Sequence, residues 1–339
     1  MKTGVLLINL GTPDSPSTSD VRKYLREFLM DPFVIDINPV SRWFLINLII
    51  APSRAPKSAK LYEKIWTSEG SPLLTNGIAL KEKLQHSLGK DFVVALGMRY
   101  QQPSIRTALA ELDKAGVEKI IAIPLYPQYA ASSTASSVES LKKESKKLGL
   151  KQRIEIVLHF HHREEYLNAL AASAKNFNPA EYDHVLFSFH GLPERHIKNS
   201  DREFGDGKCE FGACCEIARD GNRFCYRANC VQTANELAKR LSIPKEKFTI
   251  AFQSRLGKDP WIKPYSDHEI IRLAKEGKKK ILAFSPAFVA DCLETIYEIG
   301  TEYNELFREH GGEKIQLVPS LNYTDEWVEG LKKMITGNP

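Results

Sequence analysis

Short, almost wholly apolar runs recur along the chain, separated by stretches of helical period. Val5–Leu10, Phe92–Leu96, Lys119–Ile123, Ile154–His159, His184–Phe189, Phe248–Phe252, Lys280–Phe284 and Ile315–Val318 read as strands covered on both faces. Between them Ile78–Leu88, Ser104–Ala115, Ser137–Leu148, Glu165–Ala174, Val231–Leu241, Asp267–Glu276 and Asp291–Glu309 read as helices. The alternation predicts an α/β fold on parallel sheets, and eight such strands suit two sheets of about four. The polar helix Ser137–Leu148 is where the chain is expected to pass between domains, giving 1–150 and 151–339. The last helix, Asp325–Ile335, is expected to pack back on the first domain.

Composition narrows this picture only a little. A chain of 339 residues, 42% apolar and 26% charged, can hold two ordinary globular cores. Its net charge of +5 is too small a surplus to argue for nucleic acid. Val5–Leu10 is broken too soon by Gly11 and Pro13 for a secretory leader. Nothing approaches the ~20 apolar residues of a spanning helix, so a cytoplasmic protein is expected. The longest apolar run, Trp43–Ala51 between Arg42 and Arg54, reads first as a buried helix. The alternative is a patch resting on a membrane, a peripheral contact, or admitting an apolar ligand. Neither G-x-x-x-x-G-K-[ST] nor a strand-coupled G-x-G-x-x-G is present, so no nucleotide is expected.

Four segments carry candidate chemistry. In HVLFSFHGLPER, His190 directly follows an apolar strand, and Gly191 and Pro193 force a tight turn. Ligands of parallel α/β sheets bind beyond the carboxyl ends of strands, where His190 falls; a histidine bonded only to its own loop fits the position equally well. After the strand Lys280–Phe284, Glu294, Glu298 and Glu302 recur every four residues, with Asp291 at the helix start. On an α-helix this spacing stacks carboxylates along one face, able to relay protons or a hard divalent cation. A solvated surface stripe is the bland alternative. Tyr126–Ser137 crowds two tyrosines and several hydroxyls behind another strand, which suits a planar ligand with polar edges or, equally, a helix cap. Finally, Cys209, Cys214, Cys215, Cys225 and Cys230 crowd one polar, glycine-containing segment. In a cytosolic protein such crowding points to metal, and the x4 spacings favour an iron–sulfur cluster on four of the five over zinc or free thiols.

These segments, in this order, resemble the ferrochelatases. The matching pieces are LLINLGTP, EGSPL, MRY, PLYPQY, FSFHGLP, QSRLGKDPW and AFVADCLETIYEI, which together span Gly4 to about Tyr303. The resemblance implies two similar Rossmann-like domains with a porphyrin held in the cleft between them. It implies insertion of Fe²⁺, the metal substrate, into protoporphyrin IX to form protohaem. His190 matches the essential histidine and Glu294 the acid facing it, both candidate Fe²⁺ ligands. Asp291, Glu298 and Glu302 match the acidic line leading away, a path for metal or protons. Leu10, Arg99, Tyr100, Tyr126, Ser133, Trp261 and Phe288 fall on porphyrin-pocket positions. Some bacterial members carry a [2Fe–2S] cluster on an internal cysteine-rich segment, and the insertion at about 199–230 resembles theirs. Many members have histidine where this chain has Cys292. A coproporphyrin-specific enzyme, a cobaltochelatase and a non-catalytic haem or iron–sulfur binding protein are the competing readings.

Within that frame, a neutral imidazole is a suitable proton acceptor near pH 7, which assigns His190 to pyrrole deprotonation. Tyr100, Tyr126, Trp261 and Phe288 are expected to clamp the macrocycle, and Arg99 to pair with a propionate.

Overall fold

The computed structural model describes residues 2–255 and 259–337, so 256–258 of the QSRLGKDPW segment lie outside the described residues. All eight expected strands are present: β1 (Thr3–Gly11), β2 (Phe92–Tyr100), β3 (Lys119–Pro124), β4 (Arg153–Ile156), β5 (His184–His190), β6 (Phe248–Gln253), β7 (Lys280–Phe284) and β8 (Lys314–Leu317). They form two four-stranded sheets, ordered β2-β1-β3-β4 and β6-β5-β7-β8. Every pairing is parallel, for example Leu6↔Ala95 and Leu6↔Ala122 in the first and Phe189↔Phe252 in the second. The two orders are the same topology used twice, flanked by helices, which is the α/β class the alternation predicts.

Two compact units contain these sheets. One comprises the chain through Tyr126, Ala131–His159 and the segment from Tyr323; the other comprises Pro127–Ala130 and Phe160–Asn322. The first unit therefore keeps β4 and runs past residue 150, and it also holds the terminal helix Asp325–Thr336.

Burial explains why the strands were legible. Val5, Leu6, Leu7 and Ile8 are all fully buried, so both faces of β1 are covered and no polar alternation is required. On one face Leu6, Ile8, Ala95 and Ala122 pack with Ile105, Ala108, Leu109 and Leu112 of the helix Ile105–Lys114. Ser104 starts that helix by accepting the Thr107 N–H at 3.1 Å. The second sheet repeats the arrangement with Leu186, Ala251 and Ala283 against Ile270, Leu273, Ile299 and Phe307.

Two expectations change. The acidic segment is not an α-helix throughout: Leu293–Tyr303 is a π-helix that becomes α only at Asn304–Glu309. Its i→i+5 bonding needs more than four residues per turn, so residues four apart fall short of a full turn and precess around the axis. The run Trp43–Ala51 is helical but not buried. Trp43, Phe44, Leu48 and Ile49 are 49%, 53%, 61% and 62% exposed, and within the run only Ile46 and Ala51 are buried. Among the described residues no helix is long and apolar enough to cross a membrane.

Candidate active site

The chemistry-bearing residues of each unit gather at the carboxyl ends of its strands, the edge where parallel α/β sheets bind ligands. In the first unit Leu10 is in β1, Arg99 and Tyr100 end β2, and Tyr126 follows β3. Ser133 lies in a short π-helix, Ala131–Ala135, and is partly exposed. In the second unit His190 ends β5, Trp261 follows β6, and Phe288, Asp291 and Glu294 follow β7.

His190 is held with unusual completeness. Its ring Nδ1 lies 2.6 Å from the Gly191 carbonyl oxygen. A carbonyl can only accept, so Nδ1 carries a proton, and the neutral form of the ring has its lone pair on Nε2. Trp261 and Phe288 flank the imidazole, with ring centroids 6.4 and 6.3 Å away. The turn after His190 is laced to the Trp261 segment: Glu194 N–H donates to Pro260 O at 2.9 Å and Ile262 N–H to Leu192 O at 3.0 Å. Tyr166, fully buried, donates to Pro286 O at 2.5 Å and so steadies the loop that carries Phe288.

Gln253 connects His190 to the acids, a role its sequence position did not reveal. It ends β6 in register with His190, and its carbonyl accepts the Gly191 N–H at 2.8 Å. Its side chain is buried and fully oriented. Oε1 accepts from Ser188 at 2.8 Å, and Nε2 lies 2.9 Å from both the Glu294 carbonyl and Glu298 Oε2. Glu298 also accepts from Ser254 Oγ at 2.5 Å and from the Tyr303 hydroxyl at 2.9 Å. Burial, then the Glu298 charge, pushes the Tyr303 phenol well above its usual range, so it stays a donor.

The four acids thus have different circumstances. Glu294 is half-buried at the start of the π-helix, where its charge adds to burial in holding the Cys292 thiol protonated. Glu298 is a three-donor anchor, and Glu302 is exposed. Asp291 is tied down by the nearby Thr295 and by a later loop, accepting from Thr295 Oγ1 at 3.0 Å, Ser320 N at 3.2 Å and Asn322 Nδ2 at 2.8 Å.

In the first unit a buried carboxylate, Asp31, organises the pocket positions, although nothing in its sequence surroundings marks it. It pairs with Arg99 at 2.5 Å and accepts from Tyr100 Oη at 2.8 Å and Ser136 Oγ at 2.5 Å. Arg99 Nε also donates to Ser136 at 2.7 Å. Tyr100 is 0% exposed, which leaves its ring no open face to clamp a ligand. Tyr126 is partly buried, its hydroxyl 3.3 Å from Ser137 Oγ, and desolvation pushes its phenol well up.

The ferrochelatase family model matches residues 2–338. The chain belongs to the ferrochelatase family. It is 43% identical over 339 residues to the ferrochelatase of Coxiella burnetii (strain Dugway 5J108-111), covering 98% of this chain and 93% of that one. It is 44% identical over 335 residues to the ferrochelatase of Legionella pneumophila (strain Paris), covering 99% of each. Among solved structures, it resembles the sirohydrochlorin chelatase SirB of Bacillus subtilis subspecies spizizenii in complex with cobalt, with a TM-score of 0.54 at 12% identity, covering 97% of this chain and 92% of that one. SirB from Bacillus subtilis with Fe³⁺ gives 0.52 at 13% identity, covering 99% and 95%. At such identities the likeness shows the fold alone.

The cysteine segment of this family member forms a loop with a short α-helix, Ala213–Glu216, and a 3₁₀ turn, Asp220–Asn222, between the helices Glu194–Phe204 and Tyr226–Arg240. Cys214 and Cys215 place their sulfurs 3.8 Å apart. Cys225 and Arg227 beside it, against burial, lower the Cys215 thiol from its usual range. Cys209 lies within electrostatic reach of Cys214 and Cys215. Cys230 differs: it is fully buried on the helix Tyr226–Arg240, and burial pushes its thiol well up.

Proposed function

We propose that the chain inserts Fe²⁺ into protoporphyrin IX to make protohaem in the terminal part of haem biosynthesis, with His190 and Glu294 as its reacting side chains. The observation that carries this reading is the imidazole whose Nδ1 proton is fixed on Gly191 O, in a chain of the ferrochelatase family. Insertion exchanges two pyrrole protons for one Fe²⁺. Nε2 of His190 is oriented to accept the first proton, and Glu294 takes the second or guides the cation. Glu298 and Glu302 continue outward, Glu298 as the ordered member and Glu302 as the solvent-facing one. In the second unit Trp261 and Phe288 supply aromatic surface for the macrocycle; in the first, Tyr126, Leu10 and Ser133 are the ring-binding positions. Arg99, held by Asp31, contributes positive charge in the first unit.

Cys209, Cys214, Cys215 and Cys225 are the four thiols we assign to a [2Fe–2S] cluster, with Cys230 the spare. The 3.8 Å sulfur pair and the lowering of the Cys215 thiol by its neighbours fit iron ligation, whereas the Cys230 thiol is fully buried and burial pushes it up. When bound, such a cluster supplies a cross-link and a one-electron centre. The insertion itself transfers no electron, which makes a structural or sensing role the fitting one. The exposed face of Val40, Trp43, Phe44, Leu48 and Ile49, followed by exposed Arg54, Lys57 and Lys60, suits a peripheral contact with an anionic membrane surface from the cytoplasm.

Incubating the protein anaerobically with Fe²⁺ or Co²⁺ and either protoporphyrin IX or coproporphyrin III tests this reading through the Soret band. Preferred conversion of protoporphyrin with iron is expected. Preference for coproporphyrin or for cobalt would replace the substrate assignment, and no insertion by folded protein would favour a binding role.

A further inference from the structure

Tyr226 opens the helix Tyr226–Arg240, directly after Cys225, and its side chain is buried, only 6% exposed. Its hydroxyl donates to the His190 carbonyl oxygen at 2.8 Å. A phenol has one proton to give. That proton goes to the His190 carbonyl.

The His190 carbonyl and the Gly191 N–H are the two polar ends of one planar peptide unit. Gln253 O takes the N–H at 2.8 Å and Tyr226 takes the carbonyl at 2.8 Å. A rigid plane pinned at both ends has little freedom to rotate. It fixes the backbone on which the Gly191 carbonyl then meets His190 Nδ1 at 2.6 Å. Steric limits act in the same direction, since a Cβ on Gly191 would lie 2.7 Å from Gln253 O and 3.1 Å from Trp261 Cε3.

We infer that Tyr226 is a positioning residue for iron insertion: by holding the His190–Gly191 peptide it keeps Nδ1 protonated and presents Nε2 as the acceptor. The inference rests on the reading that His190 takes a pyrrole proton. Tyr226 touches neither substrate nor metal in this role; it acts through His190.

The test uses the full-length protein. In Tyr226→Phe, kcat for Fe²⁺ insertion is expected to fall about three- to tenfold, the effect of one lost hydrogen bond, with the porphyrin KM essentially unchanged. Ring ¹⁵N NMR, with His190 identified by its absence from His190→Ala, is expected to show a single Nδ1–H tautomer in the wild type and a mixture in Tyr226→Phe. Unchanged kcat together with an unchanged tautomer in folded Tyr226→Phe would overturn the inference. So would an Nε2–H tautomer in the wild type, a measurement that needs no variant to fold. If His190→Ala itself turns over normally, the proton-acceptor reading fails, while the tautomer signals still decide whether Tyr226 orients the ring.

Discussion

Replacing Gly191 by alanine adds one methyl group at a crowded point beside His190. Gly191 does not need glycine for its backbone angles, because its φ is not in the left-handed region. What it lacks is room. The new Cβ would sit 2.7 Å from Gln253 O and 3.1 Å from Trp261 Cε3, whereas ordinary contact begins near 3.4 Å. The Gln253 oxygen belongs to the β6 backbone, so relief requires a main-chain shift of about 0.7 Å, a strain on the order of 1–3 kcal/mol. The same shift stretches the 2.8 Å Gly191 N–H···O bond to Gln253 and carries the His190 ring with it. Displacements near 1 Å cost up to about 10²-fold in rate, so kcat should fall roughly ten- to a hundredfold. Zn²⁺ insertion into a porphyrin, followed by fluorescence, measures the rate, and a thermal melt should register a drop of about 2–10 °C. Gly300→Ala is the control. There the added carbon meets nothing closer than 3.6 Å, and both turnover and melting should hold. Wild-type rate and melting in Gly191→Ala would refute the crowding argument.

Asp31→Ala should lower unfolding free energy by about 3–5 kcal/mol in urea titration, because it strands Arg99 and two buried hydroxyls; an unchanged midpoint would show the ion pair to be dispensable. His184 is held at about 4, below its reference value of 6.5, by burial and then by Lys278 and Arg272. Between those values the unfolded chain binds a proton that the folded chain refuses, so stability falls as pH drops through that window, by at most about 3 kcal/mol. His184→Gln should flatten that part of the wild-type stability–pH curve, and identical curves would contradict the shift. Anaerobically purified Cys230→Ala should keep the broad visible absorption of an iron–sulfur centre while Cys214→Ser loses it; the opposite result would exchange their assignments.

The strands were readable because each is covered on both faces, so a continuous apolar run is itself the signal. The carboxylate series was readable as a spacing but not as a set of roles. Glu298 is defined by Gln253 and Ser254, which the sheet brings from β6, and Asp291 by Asn322 from a later loop. No local pattern announces such long-range partners, and none announced that Leu293–Tyr303 would wind as a π-helix. Asp31 was invisible for the same reason, since its meaning lies in Arg99, Tyr100 and Ser136. Trp43–Ala51 misled in the opposite direction: apolar composition normally means burial, and here it means an apolar surface.

The central claim is that His190 is the proton acceptor of a porphyrin chelatase, and the direct measurement pairs turnover with affinity in a single variant. For folded His190→Ala, Fe²⁺ insertion should fall by about 10²-fold or more, the scale of a lost general base, while porphyrin binding read by fluorescence quenching stays within about threefold of wild type. Near-normal insertion, or a loss of activity traced entirely to lost porphyrin binding, would contradict the account.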